Sequence, residues 1–208
     1  MIRLRPLAFG VLLALGATPA HAGDAAVAGV PIGHPAPLAD VKMKGVDGRE
    51  LSIADVKGAK GTLVVFSCNA CPWARAWETR IVELGNSYAR RGVGVMVINA
   101  NDPAVAPEDD YATMQERARR RGMKYPYVVD ATSEVARAFR ATRTPEAFLF
   151  GADGRLVYHG TIDDNAREPG KVERRYLRDA LEAVVAGKTV PVAETKALGC
   201  SIKFRGQG

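Results

Sequence analysis

Two cysteines lie two residues apart in the segment Cys68-Asn69-Ala70-Cys71. A disulfide across so short a loop removes little entropy from the unfolded chain, so a purely structural bridge is a poor explanation of the spacing. If a helix begins here, its unpaired N–H groups and its dipole favour a thiolate. The spacing therefore predicts a redox-active dithiol, with Cys68 as the more exposed and more acidic nucleophile and Cys71 as the resolving thiol.

A third cysteine, Cys200, lies in the C-terminal tail. Three cysteines cannot pair completely within one chain. Two interpretations of Cys200 stay open. It is either an additional redox thiol, which exchanges with Cys68 or with a partner, or a buried and inert cysteine.

The dithiol follows a predicted strand and begins a predicted helix. The run 62–66 is continuously β-branched and apolar, as is typical of a strand buried on both faces. A helix is predicted over 71–88 because Pro72 suits a first turn. Trp73 and Trp77 lie one turn apart on it, and core and rim packing explains that spacing best. Trp73 is also a candidate substrate-binding residue.

The remaining pattern alternates strands with helices. A hairpin is predicted over 41–52. Further strands are predicted at 93–98, 127–129, 147–150 and 156–159, and helices at 111–121, 133–141 and 172–186. This order predicts an α/β fold in which helices flank a mixed central sheet on both faces.

The N-terminal residues 1–22 have the features of a secretory signal. Arg3 and Arg5 are positively charged, the apolar run 7–17 is too short to span a bilayer, and Ala20-His21-Ala22 fits a cleavage site. An uncleaved membrane anchor is the alternative. Cleavage after Ala22 predicts a periplasmic or otherwise exported protein without stable membrane insertion.

The expected mature chain, residues 23–208, is short enough for one domain. We expect a lead-in over 23–37 and a C-terminal tail over 188–208. The formal net charge of the full chain is +6, but its arginines form scattered short clusters. A basic stripe interleaved with aromatic residues is missing from the sequence, so composition does not favour nucleic acid as a partner.

Several motifs resemble one family. Phe66-Ser67-Cys68-Asn69-Ala70-Cys71-Pro72-Trp73 resembles the Cys-Asn-x-Cys-Pro-aromatic motif of a bacterial branch of thioredoxin-like redoxins, grouped with the AhpC/TSA superfamily. The chain is also similar to this group in the segments 32–37, 98–102, 144–150 and 160–164 and in Gly199-Cys200-Ser201-Ile202-Lys203.

The resemblance implies a thioredoxin-like fold and a thiol–disulfide oxidoreductase that needs no cofactor. It implies a cis-proline at Pro145 that faces the dithiol, and a preceding Thr144 that offers backbone groups to an incoming peptide. Cys68, Cys71 and Pro145 are then the catalytic residues, and Thr144 contacts the substrate. The partners implied are protein thiols or disulfides, with a redox partner protein as electron donor or acceptor.

Some positions depart from related families. Ser67 precedes the first cysteine and Asn69-Ala70 separates the two, unlike thioredoxins proper, and the strand 62–67 contains no acid. A thiol peroxidase-like antioxidant redoxin is one alternative. However, Val65 stands three residues before Cys68, where peroxiredoxins need threonine, which argues against peroxidase chemistry of that kind.

Copper binding is the other alternative, because soft thiolates and imidazole both suit copper. The histidines of the expected mature chain are His34 and His159, and a lone histidine at a strand end is more often structural. We therefore expect no metal site. The adjacent acids Asp163 and Asp164 are better explained as caps of a turn or helix than as metal ligands. A non-enzymatic interaction domain is disfavoured because the dithiol and Thr144-Pro145 are intact.

Overall fold

The computed structural model describes Met1 and residues 29–206. The predicted signal segment and its cleavage site fall almost entirely on residues 2–28, outside the described residues. None of the helices within the described ranges is both long and apolar enough to cross a membrane.

The described chain forms strands and helices in the predicted alternation. The strands are β1 (Met43–Gly45), β2 (Glu50–Leu51), β3 (Gly61–Phe66), β4 (Val93–Asn99), β5 (Tyr127–Val129), β6 (Arg143–Thr144), β7 (Glu146–Gly151), β8 (Leu156–Gly160) and β9 (Cys200–Ser201). The helices are α1 (Pro72–Ala89), α2 (Tyr111–Arg121), α3 (Glu134–Ala138) and α4 (Tyr176–Val185).

Seven strands form one mixed sheet in the order β2-β1-β5-β4-β3-β7-β8. The central pairs β3/β4 and β4/β5 are parallel, whereas β7 runs antiparallel to β3 and β8 antiparallel to β7. β6 and β9 form a separate two-stranded pair. The prediction of a mixed central sheet is confirmed.

Apolar side chains cover both faces of this sheet. On one face, residues of β3 and β4 such as Leu63 and Val95 pack against α1, α2 and α4. On the other face, Phe66 and Ile98 pack with α3 and with Phe139 directly after it, whose ring makes edge-to-face contact with Phe66 at 5.2 Å between ring centroids. Burial on both sides explains why β3 is a continuous apolar run.

Two predicted helices are shorter in the structure. α3 ends at Ala138 rather than residue 141, and Arg140 takes a left-handed φ of 51° that stops the helix. α4 begins at Tyr176 rather than residue 172, because the side chain of Asp164 accepts hydrogen bonds from the N–H groups of Glu173 and Arg174. Those bonds hold the preceding segment outside the helix.

Candidate active site

The dithiol lies where β3 ends and α1 begins. Cys71 is the N-cap residue of α1 and Pro72 is its first residue. The sulfur of Cys71 is therefore the one at the positive end of the helix, while Cys68 lies in the preceding turn. Cys68 is 4% exposed and Cys71 is 3% exposed. The expectation that Cys68 is clearly the more exposed thiol is wrong, because the turn buries both.

The structure brings Thr144 and Pro145 against this dithiol. The Thr144-Pro145 peptide bond is cis. The Cys68 thiol lies 3.2 Å from Thr144 Oγ1, and the Cys71 thiol donates to the backbone oxygen of Thr144 at 3.1 Å. The two cysteines thus share one facing residue, although Thr144 is 76 residues from Cys68 in sequence.

The acidity of the two thiols differs from the sequence expectation. The pKa of Cys71 is lowered, mainly because the Cys68 thiol donates a hydrogen bond to its sulfur. Hydrogen bonds from Cys200 and from nearby backbone N–H groups lower it further, whereas burial raises it. The hydrogen bond to Cys71, burial and the charge of Asp109 raise the pKa of Cys68. The direction of each shift is the opposite of the one expected from the sequence, because Cys68 donates to Cys71 and nearby N–H groups stabilise a thiolate there.

Asn69 fixes the turn between the two cysteines. Its side chain accepts a hydrogen bond from the Tyr127 hydroxyl at 3.0 Å and donates to the Glu108 carbonyl at 2.9 Å. Its own carbonyl accepts from Arg75 Nε at 2.7 Å. Every polar group of Asn69 has a partner, since Asp109 accepts from its backbone N–H.

Asp109 is a buried acid beside the dithiol that the sequence analysis missed. It is 2% exposed and lies in a 3₁₀ turn over 107–109. Its carboxylate accepts from the backbone N–H of Asn69 at 2.5 Å and from the side chains of Asn99 at 3.1 Å and Asn101 at 2.8 Å. The acid comes from the loop after β4 rather than from the strand before the cysteines. Nothing local in the sequence separates it from the other acids of that loop.

The model for the AhpC/TSA family matches residues 32–159, which include the dithiol, the cis-proline and the sheet. The chain belongs to the AhpC/TSA family. A thiol-disulfide oxidoreductase ResA from Geobacillus thermodenitrificans is 26% identical over 135 residues, which cover 64% of this chain and 72% of the relative.

Two solved structures are similar to this chain. An uncharacterized conserved protein from Geobacillus kaustophilus is 35% identical with a TM-score of 0.79, covering 86% of this chain and 94% of its own. A thioredoxin-like protein in its oxidized form has a TM-score of 0.59 at 18% identity, covering 75% of this chain and 97% of its own. The likeness to the second shows the thioredoxin-like fold alone.

In this AhpC/TSA protein, Cys200 lies beside the dithiol. It packs with Trp73 against the small cluster of Cys68, Cys71 and Ala74. Burial, followed by the hydrogen bond and charge of Cys71, raises the pKa of Cys200 to about 11. Cys200 is only partly buried. Cys200 is therefore neither fully buried nor remote from the dithiol, and a redox role stays a prediction.

Trp73 lies at the rim of the site. Its ring is partly exposed, packs at 5.9 Å between centroids against the fully buried Trp77, and has the guanidinium of Arg167 over it at 5.6 Å. The core and rim description of the two tryptophans therefore fits the structure. A substrate-binding role of Trp73 stays a prediction.

His159 makes its side-chain contacts within the sheet rather than with the thiols. It is buried, its ring stacks on Phe148 at 4.5 Å, and its Nε2 lies 2.7 Å from Glu146 Oε1. Across residues 29–206, no group of three or more histidine, cysteine or acidic side chains is arranged to hold a metal ion. The copper interpretation gains no support from this arrangement.

Asp163 and Asp164 have separate partners. Asp163 is buried and accepts from Trp77 Nε1 at 2.7 Å and from Arg80 Nη1 at 2.5 Å. Asp164 accepts from two backbone N–H groups that precede α4. Asp164 thus caps backbone N–H groups, as the sequence predicts for both acids, whereas Asp163 accepts from the Asn165 N–H and also pairs with Trp77 and Arg80 of α1.

Proposed function

We propose that this protein exchanges disulfides with partner proteins outside the cytoplasm through a reversible Cys68–Cys71 disulfide. One observation carries the proposal: Cys68 and Cys71 lie together where α1 begins, and both contact Thr144, beside the cis Pro145. That arrangement places a cysteine at the start of a helix, where a thiolate is stabilised. The name of the ResA relative supports the same chemistry.

The exchange runs in two balanced steps. A cysteine thiolate attacks a sulfur of the partner disulfide, so that a mixed disulfide forms and one partner thiolate leaves. The second cysteine then attacks the mixed disulfide, which yields the Cys68–Cys71 disulfide and a reduced partner. The same steps in reverse oxidise a partner dithiol.

Export and domain organisation belong to the proposal as well. The charged start, apolar run and cleavage pattern of residues 1–22 support a secretory signal, with residues 23–208 as one mature domain. In the periplasm a dithiol of this kind exchanges with other thiol pairs rather than with a cytosolic reductase system. A disulfide partner protein then acts as donor or acceptor of the electrons.

A redox titration tests the proposal. The mature protein is equilibrated with a series of glutathione to glutathione disulfide ratios, and the free thiols are counted after acid quenching. We expect one two-electron transition assigned to Cys68 and Cys71 by peptide mapping. The Cys68–Cys71 disulfide and its transition are absent in Cys68→Ser and in Cys71→Ser, whichever other disulfide the remaining cysteines form. A wild-type transition that peptide mapping does not assign to Cys68 and Cys71, or one that keeps the same midpoint in Cys68→Ser, contradicts the assignment.

The order of attack is tested by trapping. Cys68 as the attacking thiol stays a prediction, and the lowered pKa of Cys71 argues for the opposite order. If Cys68 attacks, Cys71→Ser accumulates a mixed disulfide with a disulfide-containing peptide and Cys68→Ser does not. Accumulation in Cys68→Ser alone assigns the attack to Cys71.

A further inference from the structure

The C-terminal tail lies where a substrate strand is expected. β9 pairs antiparallel with β6, with Cys200 opposite Thr144 and Ser201 opposite Arg143. Thr144 is the residue before the cis-proline and the facing residue of both thiols. The chain thus fills with its own strand the backbone edge at which an added strand would bind.

This tail is firmly attached on both sides of Cys200. A Cβ atom at Gly199 would lie 2.2 Å from the Thr144 oxygen, so the tail approaches β6 as closely as only glycine allows. On the other side, Ile202 is buried in the core and donates its N–H to Thr142 at 3.1 Å. Lys203 donates its N–H to Asn101 Oδ1 at 2.8 Å. Such contacts hold Cys200 in place rather than leaving the tail free to swing aside.

Cys200 consequently lies between the buried dithiol and the solvent. It packs against the cluster of Cys68, Cys71 and Ala74, and its side chain is more exposed than either member of the pair. The Cys68 thiol lies 3.2 Å from Thr144 Oγ1, the residue that Cys200 faces across β6 and β9. A partner sulfur that approaches from solvent therefore meets Cys200 first.

We propose that Cys200 is a third thiol of the exchange reaction. It forms a disulfide with Cys71 in place of the buried Cys68–Cys71 disulfide, and partner proteins react with this more exposed disulfide. This inference rests on the proposed function. The Cys200 thiolate attacks the Cys71 sulfur of the Cys68–Cys71 disulfide. The Cys71–Cys200 bond forms, the Cys68–Cys71 bond breaks, and Cys68 leaves as a thiolate that takes up the proton released by Cys200. The step is an isomerisation and consumes no oxidant.

The second step involves a partner dithiol. A partner thiolate attacks the exposed Cys200 sulfur, Cys71 leaves as a thiolate, and the second partner thiol resolves the mixed disulfide to give an oxidised partner and a reduced Cys200. The helix start that stabilises a thiolate at Cys71 makes it a good leaving group in this step. The reverse sequence carries electrons from the buried pair to a partner disulfide.

The first test removes the normal partner of Cys71. Full-length mature Cys68→Ser is incubated with glutathione disulfide, quenched by alkylation and mapped by peptide mass spectrometry without reduction. We expect a Cys71–Cys200 disulfide. The matched control, Cys68→Ser/Cys200→Ser/Ser201→Cys, keeps the number of thiols but moves one to the exposed neighbour on the other face of β9. It should give glutathione adducts and no bond to Cys71.

A rate measurement tests the role in exchange. The oxidised wild type and Cys200→Ser are reduced with dithiothreitol as the dithiol probe. Loss of the accessible sulfur should slow reduction of the Cys68–Cys71 disulfide about tenfold or more, because exchange rates depend on access to the attacked sulfur. The control Cys200→Ser/Ser201→Cys should be as slow as Cys200→Ser.

The outcomes separate the two proposals. If wild type forms the Cys68–Cys71 disulfide but Cys68→Ser yields only glutathione adducts, the role of Cys200 is overturned and the proposed function stands. Equal reduction rates for wild type and Cys200→Ser also overturn it. If wild type forms no Cys68–Cys71 disulfide, the proposed function itself fails.

Discussion

At the scale of single residues, Asn69 explains why the dithiol turn holds one shape. Its buried amide joins the turn to Tyr127 on β5 and to the carbonyl of Glu108. A glycine or proline at this position would supply no such partners. The geometry of the two sulfurs therefore depends on hydrogen bonds to elements that lie far away in sequence.

Asn69→Ala should destabilise the protein by about 3 kcal/mol, because two hydrogen bonds are lost and the Tyr127 hydroxyl and Glu108 carbonyl stay buried without a partner. Denaturant unfolding of the reduced protein measures this loss. A double-mutant cycle with Tyr127→Phe should give a coupling of about 1 kcal/mol. Additive effects of the two substitutions would show that the Asn69–Tyr127 contact adds nothing to stability.

The sequence predicts the two cysteines and the helix that follows them, but it does not predict the relative acidity of the two thiols. Cys68, Cys71 and the start of a helix are local signals, and they were predicted correctly. Which thiol is more acidic depends on the hydrogen bonds and the burial that the fold gives to each sulfur. The charge of Asp109 acts through space from another loop, so spacing within the Cys-x-x-Cys segment contains no sign of it.

At the scale of elements, the junction of β6 and β7 positions Thr144. Glu146 is fully buried and its carboxylate accepts from the N–H groups of Thr142 at 2.8 Å and Arg143 at 2.9 Å. The other oxygen lies 2.7 Å from His159 Nε2 on β8. The loop before the cis-proline is thus fixed to the sheet by one side chain. In the sequence, Glu146 is one residue of the segment 144–150 that resembles the redoxins, and no local pattern marks it as a buried acid.

Glu146→Ala should cost about 4 kcal/mol of stability, since it leaves two buried N–H groups and an imidazole without their partner. Glu146→Gln keeps the shape and one accepting oxygen, so it should cost about half as much. Thermal unfolding of both variants checks that Glu146→Ala is less stable than Glu146→Gln. Glu146→Ala should also shift the midpoint of the glutathione titration, because Thr144 faces both thiols. Equal stability of the two variants would contradict this role.

The pairing of β9 with β6 shows why short elements escape prediction. A strand of two residues has no periodicity to detect. From the sequence alone, Cys200-Ser201 is therefore assigned to the irregular tail rather than to a strand. Only the fold brings that tail to Thr144. The close approach of Gly199 to the Thr144 oxygen explains why the segment Gly-Cys-Ser-Ile-Lys begins with glycine. The spacing of residues in the sequence does not reveal this contact.

At the scale of the whole molecule, the central sheet joins strands that are spread over residues 43–160. β3, β4 and β7 lie side by side at its centre, and the thiols, Asp109 and Thr144 follow or precede these strands. The alternation of elements was predictable because it is set by local hydropathy. The convergence of three cysteines at one end of the sheet follows from topology, which local patterns leave open.

Asp163 connects α1 to the segment after β8 and so stabilises the molecule away from the thiols. Its carboxylate is 4% exposed and pairs with Arg80, which is 16% exposed and also donates to the backbone oxygens of Asn165 and Ala166. Removing the charge of one partner of a buried ion pair leaves the other uncompensated. The effect should appear in the free energy of unfolding rather than in the redox midpoint.

Asp163→Asn should therefore lower the free energy of unfolding by about 3 kcal/mol, since Arg80 stays buried without its counter-charge. The neighbouring Asp164→Asn is the control, and it should cost less than about 1 kcal/mol because its contacts are exposed and the amide oxygen keeps one of the two accepted hydrogen bonds. Urea unfolding and the glutathione titration are run on both variants. An unchanged titration midpoint together with the stability loss in Asp163→Asn alone is expected. Equal stability of the two variants would show that the Arg80–Asp163 pair does not stabilise the fold.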